Sequence, residues 1–281
     1  MNFKPSLVGV GVLMLVSAGG IAPAPAALPS LDVNPWFGHF LAYENKKFTF
    51  GLDSSAVGKL TPLGKSGKPI GKTHLLPVTL VIEEVLPNGR TVTRKIQPDT
   101  LETKDPATAV PGKVSFRGKI TGGASFEVHL EVERGVVSIG GRLLDRGTLT
   151  KNPLRFSVRA TVPSAYDKVP MSGTKAAKAF GKVLKDDRLA ILRTDGKRMN
   201  LTGADKLAPE PKQINGPGLA ELKVEVSAYQ GKVIEFSATP NSRMELSSRL
   251  EQPVHDGFAI TWYPDPVKDP EGKSRLKFAV K

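Results

Sequence analysis

The sequence predicts an all-β fold, an antiparallel β-sandwich or half-open barrel. Three observations predict it. Between residues 112 and 162 apolar residues fall on every second position: Val114, Phe116 and Ile120; Phe126, Val128, Leu130 and Val132; Val137, Ile139 and Leu143; Leu154, Phe156 and Val158. A period of two belongs to strands with one buried face and one solvent face. Turn dipeptides punctuate such runs, at Asn88-Gly89, Gly122-Gly123, Arg134-Gly135 and Asp195-Gly196. Only one stretch, 174–185, carries the spacing of an amphipathic helix.

The first 26 residues read as a signal peptide, with a basic start, an apolar run from Leu7 to Val16 and small residues ending Ala24-Pro25-Ala26. The run is too short to span a membrane as a helix. Cleavage after Ala26 leaves 255 of the 281 residues, enough for a full core without disulfides. An exported chain with no cysteine is expected to be bacterial, periplasmic or extracellular. Trp36, Phe37, Phe40 and Tyr43 lie within eight residues. They are expected to plug one end of the β core, with Trp36 as a candidate sugar-stacking residue. Lys47 to Phe50 is a short strand, and 51–73 reads as a long loop or a pair of irregular strands. Leu76 to Val85 and Thr91 to Ile96 form a hairpin over Asn88-Gly89. Residues 97–111 read as a polar connection.

The meander can be read to the level of register. A three-residue loop at Gly122-Gly123-Ala124 sets Ile120 opposite Phe126 and Phe116 opposite Leu130. A two-residue turn at Arg134-Gly135 sets Val132 opposite Val137 and Leu130 opposite Ile139. On the solvent face this places Lys119 and Arg142 on either side of Glu127, Lys113 opposite Glu133, and Arg117 opposite His129. Glu127 then reads as one rung in a ladder of surface charges.

Residues 174–185 form a helix capped by Thr174, with an apolar stripe through Ala176, Ala177, Phe180, Val183 and Leu184. Lys175, Lys178, Lys182 and Lys185 line its basic face. Leu189 to Leu201 is a hairpin over Asp195-Gly196. Residues 27–205 make the main β domain, and 206–218, rich in Pro and Gly, a linker. Residues 219–281 carry further strands at Leu222, Val233, Glu245, Phe258 and Arg275. They form a small subdomain or complete the main sheets.

Charge narrows the partners. The chain carries a net +13, and residues 142–198 hold fourteen Lys and Arg against five Asp and Glu. Such a field attracts anions. The expected partner is an acidic polysaccharide or an anionic lipid head group; no nucleic acid is expected for an exported chain. Arg155 and Arg159 alternate with Leu154, Phe156 and Val158, so both point out of the sheet beside Lys175, Lys178 and Lys182 if strand and helix are neighbours.

Chemistry is sparsely signalled. No Gly-x-Ser-x-Gly elbow is present, and His39, His74, His129 and His255 share no metal-ligand spacing. Gly64 to Lys68 lacks the spacing of a phosphate loop, and Asp265 to Gly272 reads as a plain turn, not a calcium loop. No cofactor and no metal are expected. The reading is an exported, non-catalytic binding protein with a basic face. The alternative is a secreted enzyme acting on an acidic polysaccharide; it would bring His129, Arg117 or Tyr166 together with an acid or base partner.

Overall fold

In the computed structural model, residues 39–70, 75–103, 112–164, 175–206, 212–248 and 252–281 are described. The expected signal peptide, Trp36, His74, Tyr166 and the Thr174 cap lie outside them.

The chain begins with β1 (His39–Glu44), β2 (Phe48–Asp53) and β3 (Val57–Pro62), followed by β4 (Leu76–Val85), β5 (Thr91–Arg94) and β6 (Ile96–Thr103). The meander is β7 (Lys113–Ile120), β8 (Ser125–Glu133), β9 (Val136–Leu143) and β10 (Leu154–Pro163). Then come α1 (Lys175–Asp186), β11 (Arg188–Arg193), β12 (Arg198–Thr202) and the single turn α2 (Lys212–Asn215). The last elements are β13 (Leu219–Glu225), β14 (Val233–Ala238), β15 (Ser242–Ser247), α3 (Pro253–Asp256), β16 (Gly257–Pro264) and β17 (Leu276–Val280).

Every strand pairing is antiparallel, and the sheet curls into a half-barrel. One run of neighbours passes β1, β2, β3, β4, β10, β16, β15. The other passes β6, β7, β8, β9, β17, β14, β13, β11, β12. They join where Leu219 of β13 pairs with Met244 of β15. Their apolar faces meet in one core, where the Phe50 ring of β2 stands edge-on to Phe278 of β17 at 5.5 Å. Trp262, Phe48, Phe116 and Phe126 are fully buried in it. The last strands are built into both runs: β16 lies between β10 and β15, and β17 between β9 and β14.

Register follows the sequence at one meander turn and departs from it at the other. At Arg134-Gly135 both residues have positive φ, and Val132 pairs with Val137 and Leu130 with Ile139 as expected. At the first turn Gly122 and Gly123 both take positive φ, and the three-residue loop is Thr121-Gly122-Gly123, one residue earlier than expected, closed by the Ile120 N–H donating to Ala124 O. The pairing moves by two: Val114 faces Leu130, Phe116 faces Val128 and Gly118 faces Phe126. An even shift keeps the same residues on the buried face. It changes every neighbour on the outer face. Glu127 faces Arg117 rather than Lys119, His129 faces Ser115 rather than Arg117, and Lys113 faces Glu131 rather than Glu133.

Other expectations need correcting. Residues 57–62 form a regular strand, since the Asp53 carboxylate accepts the N–H groups of Ser55 and Val57 and closes a tight turn. Residues 97–103 are strand, not polar connection; they pair with β7 through an irregular register between Gln97 and Glu102 that hides the two-residue period. Within the expected linker, buried Asn215 donates to Leu246 O and accepts from its N–H, and so mimics a strand partner for β15.

Candidate functional site

The outer face of β4, β10, β16 and β15 carries a compact polar cluster. Alternation along β10 puts Arg155, Ser157 and Arg159 on this face and sends Phe156, Val158 and Ala160 to the core. Pairing then sets Arg155 opposite Glu83 of β4 and Arg159 opposite Thr261 of β16. Beyond them, Arg243 of β15 faces Tyr263, and Glu245 faces Thr261.

Glu83 is the hub. It is only 6% exposed, and Arg155 Nη2 donates to it at 2.7 Å while Arg159 Nη2 lies 3.8 Å away. Burial is the largest influence on Arg155 and works against its charge, but the hydrogen bond to Glu83 together with the charges of Tyr263, Glu83 and Glu245 outweighs it and holds the guanidinium protonated. The Tyr263 ring sits between two guanidiniums, with Arg155 4.7 Å and Arg243 5.4 Å from its centre. Burial and then the charge of Glu245 push the Tyr263 hydroxyl above its ordinary range. Arg243 Nε also donates to Glu245 at 3.1 Å. The three arginine side chains are 38%, 39% and 43% exposed. Three guanidiniums against two carboxylates leave one surplus positive charge, with donors facing solvent. A planar guanidinium matches a carboxylate or sulfate through two parallel hydrogen bonds.

The site residues expected from sequence fall into separate places. Arg155 and Arg159 come together here, joined by Arg243, Tyr263 and Glu83, which the sequence did not single out. Lys175, Lys178 and Lys182 are exposed on α1, which packs on β12, while β10 lies between β4 and β16. The expected strands beginning at Glu245 and Phe258 fall within or across β15 and β16. Only their pairing with β10 brings Arg243 and Tyr263 to the arginines.

A second cluster occupies the outer face of β7 and β8. Arg117 Nε and Nη2 donate to one oxygen of Glu127 at 3.1 and 3.0 Å, and His129 Nε2 lies 3.1 Å from the other. Thus Arg117 and His129 converge on a carboxylate that is 3% exposed, and Glu127 is not a solvated rung. Beside it, a groove of about 710 Å³ runs over β8, β9, β17 and β14, lined by Glu131, Ser138, Ser237, Arg275 and Lys277 among others.

Elsewhere, Asp265 accepts the N–H groups of Val267 and Lys268, and Asp269 those of Lys273 and Ser274, so both carboxylates close turns. Among the described residues no group of three His, Cys, Asp or Glu is placed to hold a metal, and no helix is long and apolar enough to cross a membrane.

Fold and site together define an all-β half-barrel with an arginine-rich outer face. No family model matches the sequence, and no curated protein matches it. The fold is similar to solved structures of the α-N-acetylgalactosaminidase NagBb from Bifidobacterium bifidum. The complex with Gal-NHAc-DNJ aligns with a TM-score of 0.52 and the GalNAc complex with 0.50, each at 11% identity. Each alignment covers 86% of this chain and 36% of that one, so the chain spans about a third of that enzyme's length. At this identity the likeness is one of fold.

Proposed function

We propose that this protein is exported and recognises acidic glycans through the Arg155–Arg159–Arg243 face, a non-catalytic surface that binds the polymer without cutting it. The observation that carries the reading is the convergence of three partly exposed guanidiniums around Glu83 and Tyr263 on one sheet surface. A uronate carboxylate or sulfate ester presents two oxygens in the geometry that these groups hydrogen-bond. The net charge of +13 adds long-range attraction for a polyanion. A sugar ligand is further supported by the similar solved structures, which are complexes of an α-N-acetylgalactosaminidase. An acidic polysaccharide fits better than a lipid head group, because the donors lie on a broad sheet face with the partly exposed Glu245 carboxylate among them as a partner for sugar hydroxyls.

Retention on heparin-like and polygalacturonate resins tests this. The wild-type chain is expected to bind and to elute with salt, since exposed charges are screened beyond about 8 Å at physiological ionic strength. Arg159→Ala with Arg243→Ala should elute at clearly lower salt with unchanged circular dichroism. Equal retention of the double variant overturns the site. Shortening of the polymer during the assay overturns the non-catalytic reading.

A further inference from the structure

The cluster on β7 and β8 contains more than an ion pair. Ser115 and His129 face each other across the two strands, and Ser115 Oγ lies 2.8 Å from His129 Nδ1. His129 Nε2 lies 3.1 Å from Glu127 Oε1. A hydroxyl, an imidazole and a carboxylate are therefore connected in series. One assignment of protons satisfies the chain: the Nε2–H donates to Glu127, and Nδ1 accepts from the serine hydroxyl. That is the tautomer a general base needs.

The surroundings hold the series in place. Arg117 donates twice to Glu127 Oε2, which leaves Oε1 for the imidazole, and Arg142 Nε stands 3.6 Å from Oε1. The carboxylate is buried, whereas the His129 side chain is 25% exposed and Ser115 is half-buried, so the reactive end is open and the orienting end closed. Arg117 lies two residues along the same strand face from Ser115, and its side chain is 51% exposed. Its remaining N–H groups can face a developing oxyanion. The groove begins one step along: Glu131 pairs with Ser138 next to the pair of His129 with Gly140. Its polar lining suits an alcohol portion rich in hydroxyls.

We infer that Ser115, His129 and Glu127 form a hydrolytic centre for small acyl esters of polyols, such as O-acetyl groups on sugars. Ser115 Oγ bonds to the acyl carbon while its proton passes to His129 Nδ1. The tetrahedral oxyanion collapses, the ester C–O bond breaks, and the leaving alkoxide takes the proton from Nδ1. Water then adds to the acyl-serine, gives its proton to Nδ1, and the acid departs as the serine oxygen recovers that proton. The sum is ester plus water to acid plus alcohol. Ser115 and His129 are the catalytic residues; Glu127 is a positioning residue that fixes the tautomer. The centre lies on the other run of strands from the arginine face, so it stands or falls apart from glycan binding there.

The test uses the full chain with p-nitrophenyl acetate and a fluorophosphonate probe. The probe is expected to label one site, on the peptide that contains Ser115, and p-nitrophenyl acetate to be hydrolysed faster as His129 loses its proton. Ser115→Ala should abolish labelling, and His129→Asn should lower hydrolysis by at least about 100-fold, both with wild-type melting temperatures. Glu127→Gln should leave labelling at Ser115 but slow it and displace the pH–rate profile. No labelling of the folded wild-type chain, labelling elsewhere, or hydrolysis unchanged in Ser115→Ala and His129→Asn overturns the inference, whatever becomes of retention on acidic resins.

Discussion

Arg155 makes two contacts at once: its Nη2 donates to the Glu83 carboxylate at 2.7 Å, and its guanidinium carbon stands 4.7 Å from the centre of the Tyr263 ring. Glu83 therefore sets where the cation sits, and it also competes with any incoming anion for the same N–H groups. Replacing it separates the two roles. Glu83→Gln leaves Arg155 and Arg159 without their carboxylate. Breaking a fully buried pair costs about 3–5 kcal/mol. Both arginines are more than a third exposed, so solvent screens the loss to about 1–2 kcal/mol. Retention on an acidic resin should rise in the same variant, because one competing negative charge is gone. Urea denaturation and salt elution measure the two effects. Weaker retention in a folded Glu83→Gln chain would place the glycan elsewhere.

Leu130 tests the register. It is 1% exposed, pairs with Val114 on β7 and Ile139 on β9, and packs in the shared core. Leu130→Asp puts an unpaired carboxylate there and should cost about 4 kcal/mol or prevent folding. A melting temperature within 2 °C of wild type, a difference far below that cost, would show that this face is not buried.

How far the sequence reveals the fold differs between turns. Arg134-Gly135 admits one two-residue loop, so β8 and β9 are legible residue by residue. Gly122-Gly123 admits a three-residue loop at 121–123 or at 122–124, because either glycine tolerates positive φ, and alternation cannot separate registers that differ by two. That ambiguity cost nothing in the core and everything on the outer face, where it hid the Ser115–His129 pair. The arginine face was half legible for a related reason. Alternation puts Arg155 and Arg159 outward on one strand. That Arg243 and Tyr263 join them depends on β16 pairing with β10 across nearly a hundred residues, and no local pattern encodes that pairing.

Tyrosine burial gives stability a pH dependence. Tyr229 is 1% exposed, closes the 3₁₀ turn Ser227–Tyr229, and burial raises its hydroxyl well above the ordinary 10.0. Tyr263 is raised in the same direction, first by burial. The folded state keeps these protons after the unfolded state has released them. Their contribution is thus complete below pH 10.0 and is lost as the pH rises beyond it. The slope expected from one such group approaches 1.4 kcal/mol per pH unit, about the free energy of one pKa unit. Urea midpoints between pH 9 and 11 should fall, and fall less steeply for Tyr229→Phe. Parallel slopes for the two chains would show that Tyr229 ionises in the folded protein.

The lysines of α1 separate contact from field. Lys175, Lys178 and Lys182 are exposed on a helix that packs on β12, whereas Arg155 and Arg159 lie on β10, five strands away through β11, β13, β15 and β16. A short oligosaccharide seated on the arginines is not expected to touch the helix. A long polyanion spans both, and it also responds to the overall charge at low salt. Lys178→Glu with Lys182→Glu lowers the net charge from +13 by four. These are exposed positions, so stability should change by no more than about 0.5 kcal/mol. Elution from a long heparin-like chain should move to lower salt, while the affinity for a tetrasaccharide, read by calorimetry at 0.15 M salt, should stay within about twofold, since a Debye length near 8 Å screens the helix from the arginines. Loss of tetrasaccharide binding in the double variant would move the binding site from the arginine face to the helix. Unchanged elution of the long chain would show that the helix charge takes no part in recognition.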